Sequence, residues 1–214
     1  MRKPRPLRRE ERGFRDDRMF IVACDDTHAP KQYLELLKLS RVKVHVLAAQ
    51  PGQDHQDAIR RLRAFRAQYE LVDGDELWVL LDTDHFDEGT HLRGFLESLR
   101  GALDLGAKVA LSKPCFELWL LLHSNVVVDF ENFRRCRDLV DALGAYDKTS
   151  LNPENYPIAA IAKACTAAEA RDREVQGGDI PEAATTRVYQ LLKSIYRGCT
   201  PASVPEELRD WLFV

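Results

Sequence analysis

Acidic residues close two separate apolar runs of the chain: Asp25 and Asp26 follow the first, and Asp82 and Asp84, with His85 beside them, close the second. Carboxylates brought together in a fold repel, and each raises the pKa of the others unless a cation joins them. Mg²⁺ or Mn²⁺ would relieve that conflict. Mg²⁺ takes one or two carboxylates together with water and substrate phosphate oxygens, and in such a site it neutralises a phosphodiester and acidifies an attacking water. Within Asp82-Thr83-Asp84, side chains two apart on a strand point the same way and would share one ion's surroundings. An acid-x-acid pair alone serves as readily as a turn former or helix cap. Its coincidence with Asp25 and Asp26 turns the reading toward a metal site. Asp25, Asp82 and Asp84 are therefore the expected ligands, with Asp26 beside them. For His85, a ligand, a proton shuttle, a substrate contact and a turn residue without a role all fit.

A second acid, Glu117, sits inside the apolar run Phe116 to His123, whose Phe-x-x-Trp-Leu-Leu-Leu pattern is first of all that of a core helix. Burying a lone carboxylate there is costly, so Glu117 must pair with a base such as Lys113 or Lys148, or face the crevice and assist catalysis. Lys148, Lys113 and Arg187 are candidate contacts for substrate phosphate. His123, at the end of that run, is placed to cap the last carbonyls.

The elements that must position these groups alternate. Met19–Cys24 and Glu76–Asp82 are continuous apolar runs ending in acid, as strands buried on both faces of a parallel sheet read. Val42–Leu47 and Ala107–Leu111 supply two more strands. Helical spacing covers Pro30–Leu39, His55–Tyr69 and the stretch from Glu88 to Leu105. Strands separated by helices of that length cannot form hairpins, so the pattern predicts an α/β fold with a mostly parallel sheet and right-handed crossovers. In such sheets ligands settle outside the carboxyl ends of the strands, where these acids fall. From Pro114 onward the pattern predicts helices and no strand: Pro114–His123, Phe130–Leu143, Pro157–Arg173 and Pro181–Tyr196.

With 214 residues, 45% of them hydrophobic, the chain can bury one substantial core, with a helical elaboration toward its C-terminus. Its net charge of −3 excludes a polycation that wraps nucleic acid, so any such contact must be local. The arginines and lysine among residues 1–18 outnumber the acids there and read as a basic, solubilising arm or a local nucleic-acid contact. No apolar run reaches the roughly 20 residues of a bilayer crossing, and no signal-peptide core follows the basic start, so a cytoplasmic location and no membrane partner are expected. Five scattered cysteines without a Cys-x-x-Cys pair read as reduced and mostly buried.

The stretch Ser112-Lys113-Pro114-Cys115-Phe116-Glu117-Leu118-Trp119-Leu120-Leu121-Leu122-His123 resembles the signature of RloB-like proteins, which read Ser-Asn-Pro-Cys-Phe-Glu-Leu-Trp-Leu-Leu-Leu-His there. Cys24, Tyr33, the Asp-x-Asp at Asp82, Tyr146-Asp147-Lys148 and Thr186-x-Val188-Tyr189 agree in order, so the likeness runs from about Met19 to Leu192. That resemblance implies a relative of Toprim domains, which hold Mg²⁺ for phosphodiester chemistry with a glutamate after the first strand and an Asp-x-Asp after the third. It implies a basic arm at 1–18, a Toprim-like core at 19–113 and a helical part at 114–214. It also implies a setting in bacterial antiviral defence beside a separate ATPase subunit. The family's Cys-Glu-Gly-Glu segment is here Cys24-Asp25-Asp26-Thr27, so the resemblance implies that the glutamate's general acid/base role falls to the shorter Asp25, with Asp26, in place of the glycine, able to compensate.

Two readings follow. One is a Mg²⁺- or Mn²⁺-dependent nuclease hydrolysing DNA or RNA; the other is a catalytically degenerate module that binds an ATPase partner or nucleic acid without cutting it. No Gly-x-x-x-x-Gly-Lys-Ser/Thr phosphate loop is present, so ATP dependence would come from another chain. Transfer to a tyrosine would need a nucleophilic phenol, and the sequence singles none out. Homo-oligomer formation is left open.

Overall fold

A computed structural model describes residues 18–84, 91–126 and 128–213. Strands β1 (Arg18–Cys24), β2 (Val42–Leu47), β3 (Glu76–Asp82) and β4 (Lys108–Lys113) alternate with helices α1 (Ala29–Glu35), α2 (His55–Gln68) and α3 (Leu92–Asp104). With a fifth strand, β5 (Thr185–Thr186), the strands form a sheet in the order β2-β1-β3-β4-β5. The first four strands are parallel, with Cys24 opposite Leu80 and Asp82 opposite Ser112.

Alternation along β1 explains the layering. Phe20, Val22 and Cys24 enter one core with Tyr33 of α1 and with C-terminal helices, while Met19, Ile21 and Ala23 enter another with Ile59, Leu62 and Phe65 of α2 and Phe95 of α3. Met19 to Cys24 are all buried because helices cover both faces, which is why the run carries no polar alternation. Residues 85–90 lie outside the described residues, and with them the expected start of α3 at Glu88 and the candidate His85.

After β4 come α4 (Glu117–Leu121), α5 (Cys136–Leu143), α6 (Ile158–Glu174), the short strand β5 (Thr185–Thr186), α7 (Val188–Gly198) and α8 (Glu206–Phe213). The expectation of helices alone in this half is corrected by β5, which pairs antiparallel with β4 through Ser112↔Thr186 and Lys113↔Thr185. The Ser112 and Thr186 hydroxyls also meet, at 2.9 Å. A two-residue strand leaves no alternation to read. The helix expected from Pro114 begins only at Glu117, because the Pro114 carbonyl accepts the Asp84 amide at 2.8 Å and is thereby tied to the end of β3. Phe130–Leu143 divides into a single 3₁₀ turn, Phe130–Asn132, and α5.

Candidate functional site

The strand order fixes where a site should form. From β1 the chain moves outward to β2, then crosses back to β3 on the other side of β1, so the switch in direction lies between β1 and β3. Loops diverge at such a point and leave a crevice at the carboxyl ends of the strands. Asp25 follows β1 and Asp82 ends β3, one on each side of it. A cavity of about 540 Å³ opens there, lined by Asp25, Asp26, Asp82, Asp84 and Glu117, and by Cys115, Cys136, Tyr146 and Lys148.

Asp25 extends the β1 ladder, its amide donating to the Leu80 carbonyl at 3.4 Å, and its Oδ2 accepts the Asp82 amide at 3.1 Å. Burial pushes the Asp25 carboxyl up to about 7 against the pull of that hydrogen bond, and the charge of Asp26 adds to the rise. Burial also lifts Asp82 well above the usual carboxylate range, with the charges of Asp25 and Glu117 next in weight. Two carboxylates are thus held beside each other on the cavity floor by backbone that neither can leave.

Asp26 is differently occupied. Its Oδ1 accepts the amides of His28 (2.6 Å) and Ala29 (3.2 Å) at the start of α1, and its Oδ2 pairs with Lys148 Nζ at 2.5 Å. Burial works to lower the Lys148 pKa, but the hydrogen bond and charge of Asp26 outweigh it, and the ammonium is held above its ordinary value. The loop carrying Lys148 is fixed to α1 by Gln32, whose Nε2 donates to the Lys148 carbonyl and whose Oε1 accepts the Leu151 amide, both at 2.9 Å.

Asp84 does not follow the strand alternation expected for it. β3 ends at Asp82, and Asp84 has a left-handed backbone, φ 39°, which leaves its side chain exposed at the rim, where Cys136 Sγ lies 3.7 Å from its Oδ1. Glu117 is buried at the first position of α4 and faces the cavity, where its Oε1 accepts the Tyr146 hydroxyl at 2.9 Å. Of the other predicted phosphate contacts, Lys113 donates to the Pro181 carbonyl (3.0 Å), and Arg187 binds Asp172 (3.0 Å) and the Gly178 carbonyl (2.7 Å). The cavity lining includes neither of them.

Sequence reasoning missed Tyr146, whose signal lay in its position two before Lys148, and Arg61 of α2. The Arg61 guanidinium donates to the Cys24 carbonyl at 2.6 Å and so braces the strand end that presents Asp25. Among the described residues, no group of three or more His, Cys, Asp and Glu side chains is arranged to hold a metal ion. A Mg²⁺ site asks for less: one or two carboxylates, with water and phosphate completing the shell. The Asp25 and Asp82 pair fits that donor set, since burial and mutual repulsion both favour a cation between them.

An α/β fold with an acidic cavity at its switch point is the class that the geometry defines. The model of the RloB-like protein family matches residues 20–195, and the chain belongs to that family. No curated protein and no solved structure matches it. No described helix is long and apolar enough to cross a membrane.

Proposed function

We propose that this chain is a divalent-metal-dependent phosphodiesterase acting on nucleic acid. The observation that carries the reading is the placement of Asp25 and Asp82 as adjacent, half-buried acids at the switch point, both raised in pKa. Asp25 and Asp82 would hold Mg²⁺ or Mn²⁺, with Asp84 at the rim available to the same ion or to its waters. When bound, the ion supplies Lewis acidity, neutralising phosphate charge and lowering the pKa of water. The chain's own groups do the rest. Lys148 exchanges its pairing with Asp26 for a phosphate oxygen, and Glu117, buried beside the acids, takes up a proton from the attacking group and returns it to the leaving oxygen. A role in antiviral defence and an ATPase partner rest on the family resemblance.

A second reading, a binding module without catalysis, is favoured by one feature. Asp25 Oδ2 and both Asp26 oxygens already hold groups of the protein itself. Incubating the purified chain with labelled single- and double-stranded DNA, RNA and tRNA in Mg²⁺ or Mn²⁺ separates the two, with Asp82→Ala as control. The phosphodiesterase reading expects cleavage that the substitution abolishes. Nucleic-acid binding without cleavage favours the module.

A further inference from the structure

The acceptor oxygen of Glu117 is already turned toward one proton. Its Oε1 takes the Tyr146 hydroxyl at 2.9 Å, and both side chains line the cavity that contains Asp25 and Asp82. A general base acts on the group within hydrogen-bond reach, about 2.6–3.2 Å, and here that group is a phenol. The phenol belongs to the loop that carries Lys148 two residues on, and Gln32 anchors that loop to α1, so a phenolic oxygen and an ammonium are presented to the cavity from one loop. Burial, with the charge and hydrogen bond of Glu117 next, raises the Tyr146 pKa, so the hydroxyl keeps its proton at neutral pH. A nucleophile in that state is activated only as it attacks, by a base in contact with it.

We propose that Tyr146 is the nucleophile of a transesterification: its Oη attacks the phosphorus of a nucleic-acid phosphodiester while Glu117 takes the phenolic proton. The proposal rests on the phosphodiesterase reading above and adds a covalent intermediate to it. A P–Oη bond forms and the P–O bond to one sugar breaks. The electron pair leaves on the sugar oxygen, which receives the proton from Glu117. The products are a strand end joined to Tyr146 as a phosphodiester and a free sugar hydroxyl. Nothing is oxidised or reduced. Water attacking the linkage completes a net hydrolysis, and attack by the freed hydroxyl rejoins the strand.

The test uses the full chain and oligonucleotides, single- and double-stranded DNA and RNA, labelled at either end, in Mg²⁺ or Mn²⁺. A second set carries a bridging phosphorothiolate, whose thiol leaving group rejoins poorly and so accumulates any adduct. Reactions are stopped in detergent and examined for label on the protein and, by mass spectrometry of peptides, for the modified residue. The expected result is label on Tyr146, loss of both adduct and cleavage in Tyr146→Phe, and cleavage lowered about 10²–10⁴-fold in Glu117→Gln. Tyr146→Phe should keep the wild-type affinity for Mn²⁺ by calorimetry, which a merely structural role in holding Glu117 would disturb. Cleavage without label on Tyr146, or with label on another residue, overturns the tyrosine assignment and leaves the phosphodiesterase reading standing. No cleavage and no adduct with any substrate overturns both.

Discussion

Helix α4 joins two regions that treat buried polar groups in opposite ways. Its first residue, Glu117, faces the acidic cavity, while Trp119 and the nearby His123 enter an aromatic cluster with Tyr33, Phe116 and Tyr156, whose rings stand 5.3–6.0 Å from that of Tyr33. In the cluster the Tyr33 hydroxyl and the His123 ring answer each other, and among the described residues there the Trp119 indole nitrogen alone is buried without a partner. A carbonyl only accepts, so the His123 Nδ1–H donates to the Trp119 carbonyl at 2.9 Å, and the neutral ring then accepts the Tyr33 hydroxyl at Nε2, 3.0 Å away. Burial lowers the His123 pKa to about 4, in keeping with a neutral ring. In the cavity, burial instead raises acids that face other acids. Groups arranged only for stability would resemble the first region. The second stores repulsion that a cation can relieve, and that difference assigns structure to one and function to the other.

The largest test of the contrast is Trp119→Ala. Trp119 is fully buried, so its truncation should cost about 3–5 kcal/mol in urea unfolding. Next come opposite dependences on pH. Asp25, raised from 3.8 to about 7, contributes stability that is present below pH 3.8 and lost as pH rises through 7. His123, lowered from 6.5 to about 4, contributes stability that is present above pH 6.5 and lost as pH falls through 4. The two oppose each other in the native chain. Asp25→Asn should tilt the native profile toward loss of stability in acid, although the raised Asp82 remains, and His123→Gln should tilt it toward loss at neutral pH. Each swing, read as the shift in urea midpoint, should be on the order of 2 kcal/mol. Equal pH profiles in both variants would remove the distinction between the regions.

Much of this was legible in the sequence because burial writes itself into pattern. The runs ending at Cys24 and Asp82 showed strands covered on both faces, and the acids that close them marked the cavity floor. The rest depended on contacts that pattern does not encode. Strand β5 consists of two threonines, too few to alternate. Asp84 left the strand alternation because its amide turns to the Pro114 carbonyl, a partner 30 residues away. Lys113 and Arg187 looked like phosphate contacts as isolated cations, but in the fold they hold the loop at Gly178 to Pro181. Tyr146 meets Glu117 only through tertiary structure, and the shared loop with Lys148 was its one sign in the chain.

Smaller effects sharpen the comparison further. Tyr33→Phe removes the donor to His123 Nε2 and leaves a buried acceptor without it, which should cost about 1–2 kcal/mol of stability and leave divalent-ion binding unchanged. Lys148→Met should change stability by less than about 1 kcal/mol, since half of the lysine side chain is exposed. It should nevertheless weaken binding of oligonucleotides, measured by anisotropy.

The most direct measurement is the melting temperature of the purified chain at pH 8, where Asp25 is ionised, titrated with Mn²⁺ beside Asp82→Asn. Linkage predicts a saturable rise in the native chain, since an ion that binds only the folded state stabilises it. The same titration should leave the variant flat, and without metal the variant should melt above the native chain because one of the opposed charges is gone. A native chain that does not respond, or a variant that responds equally, would contradict the assignment of Asp25 and Asp82 as a cation site.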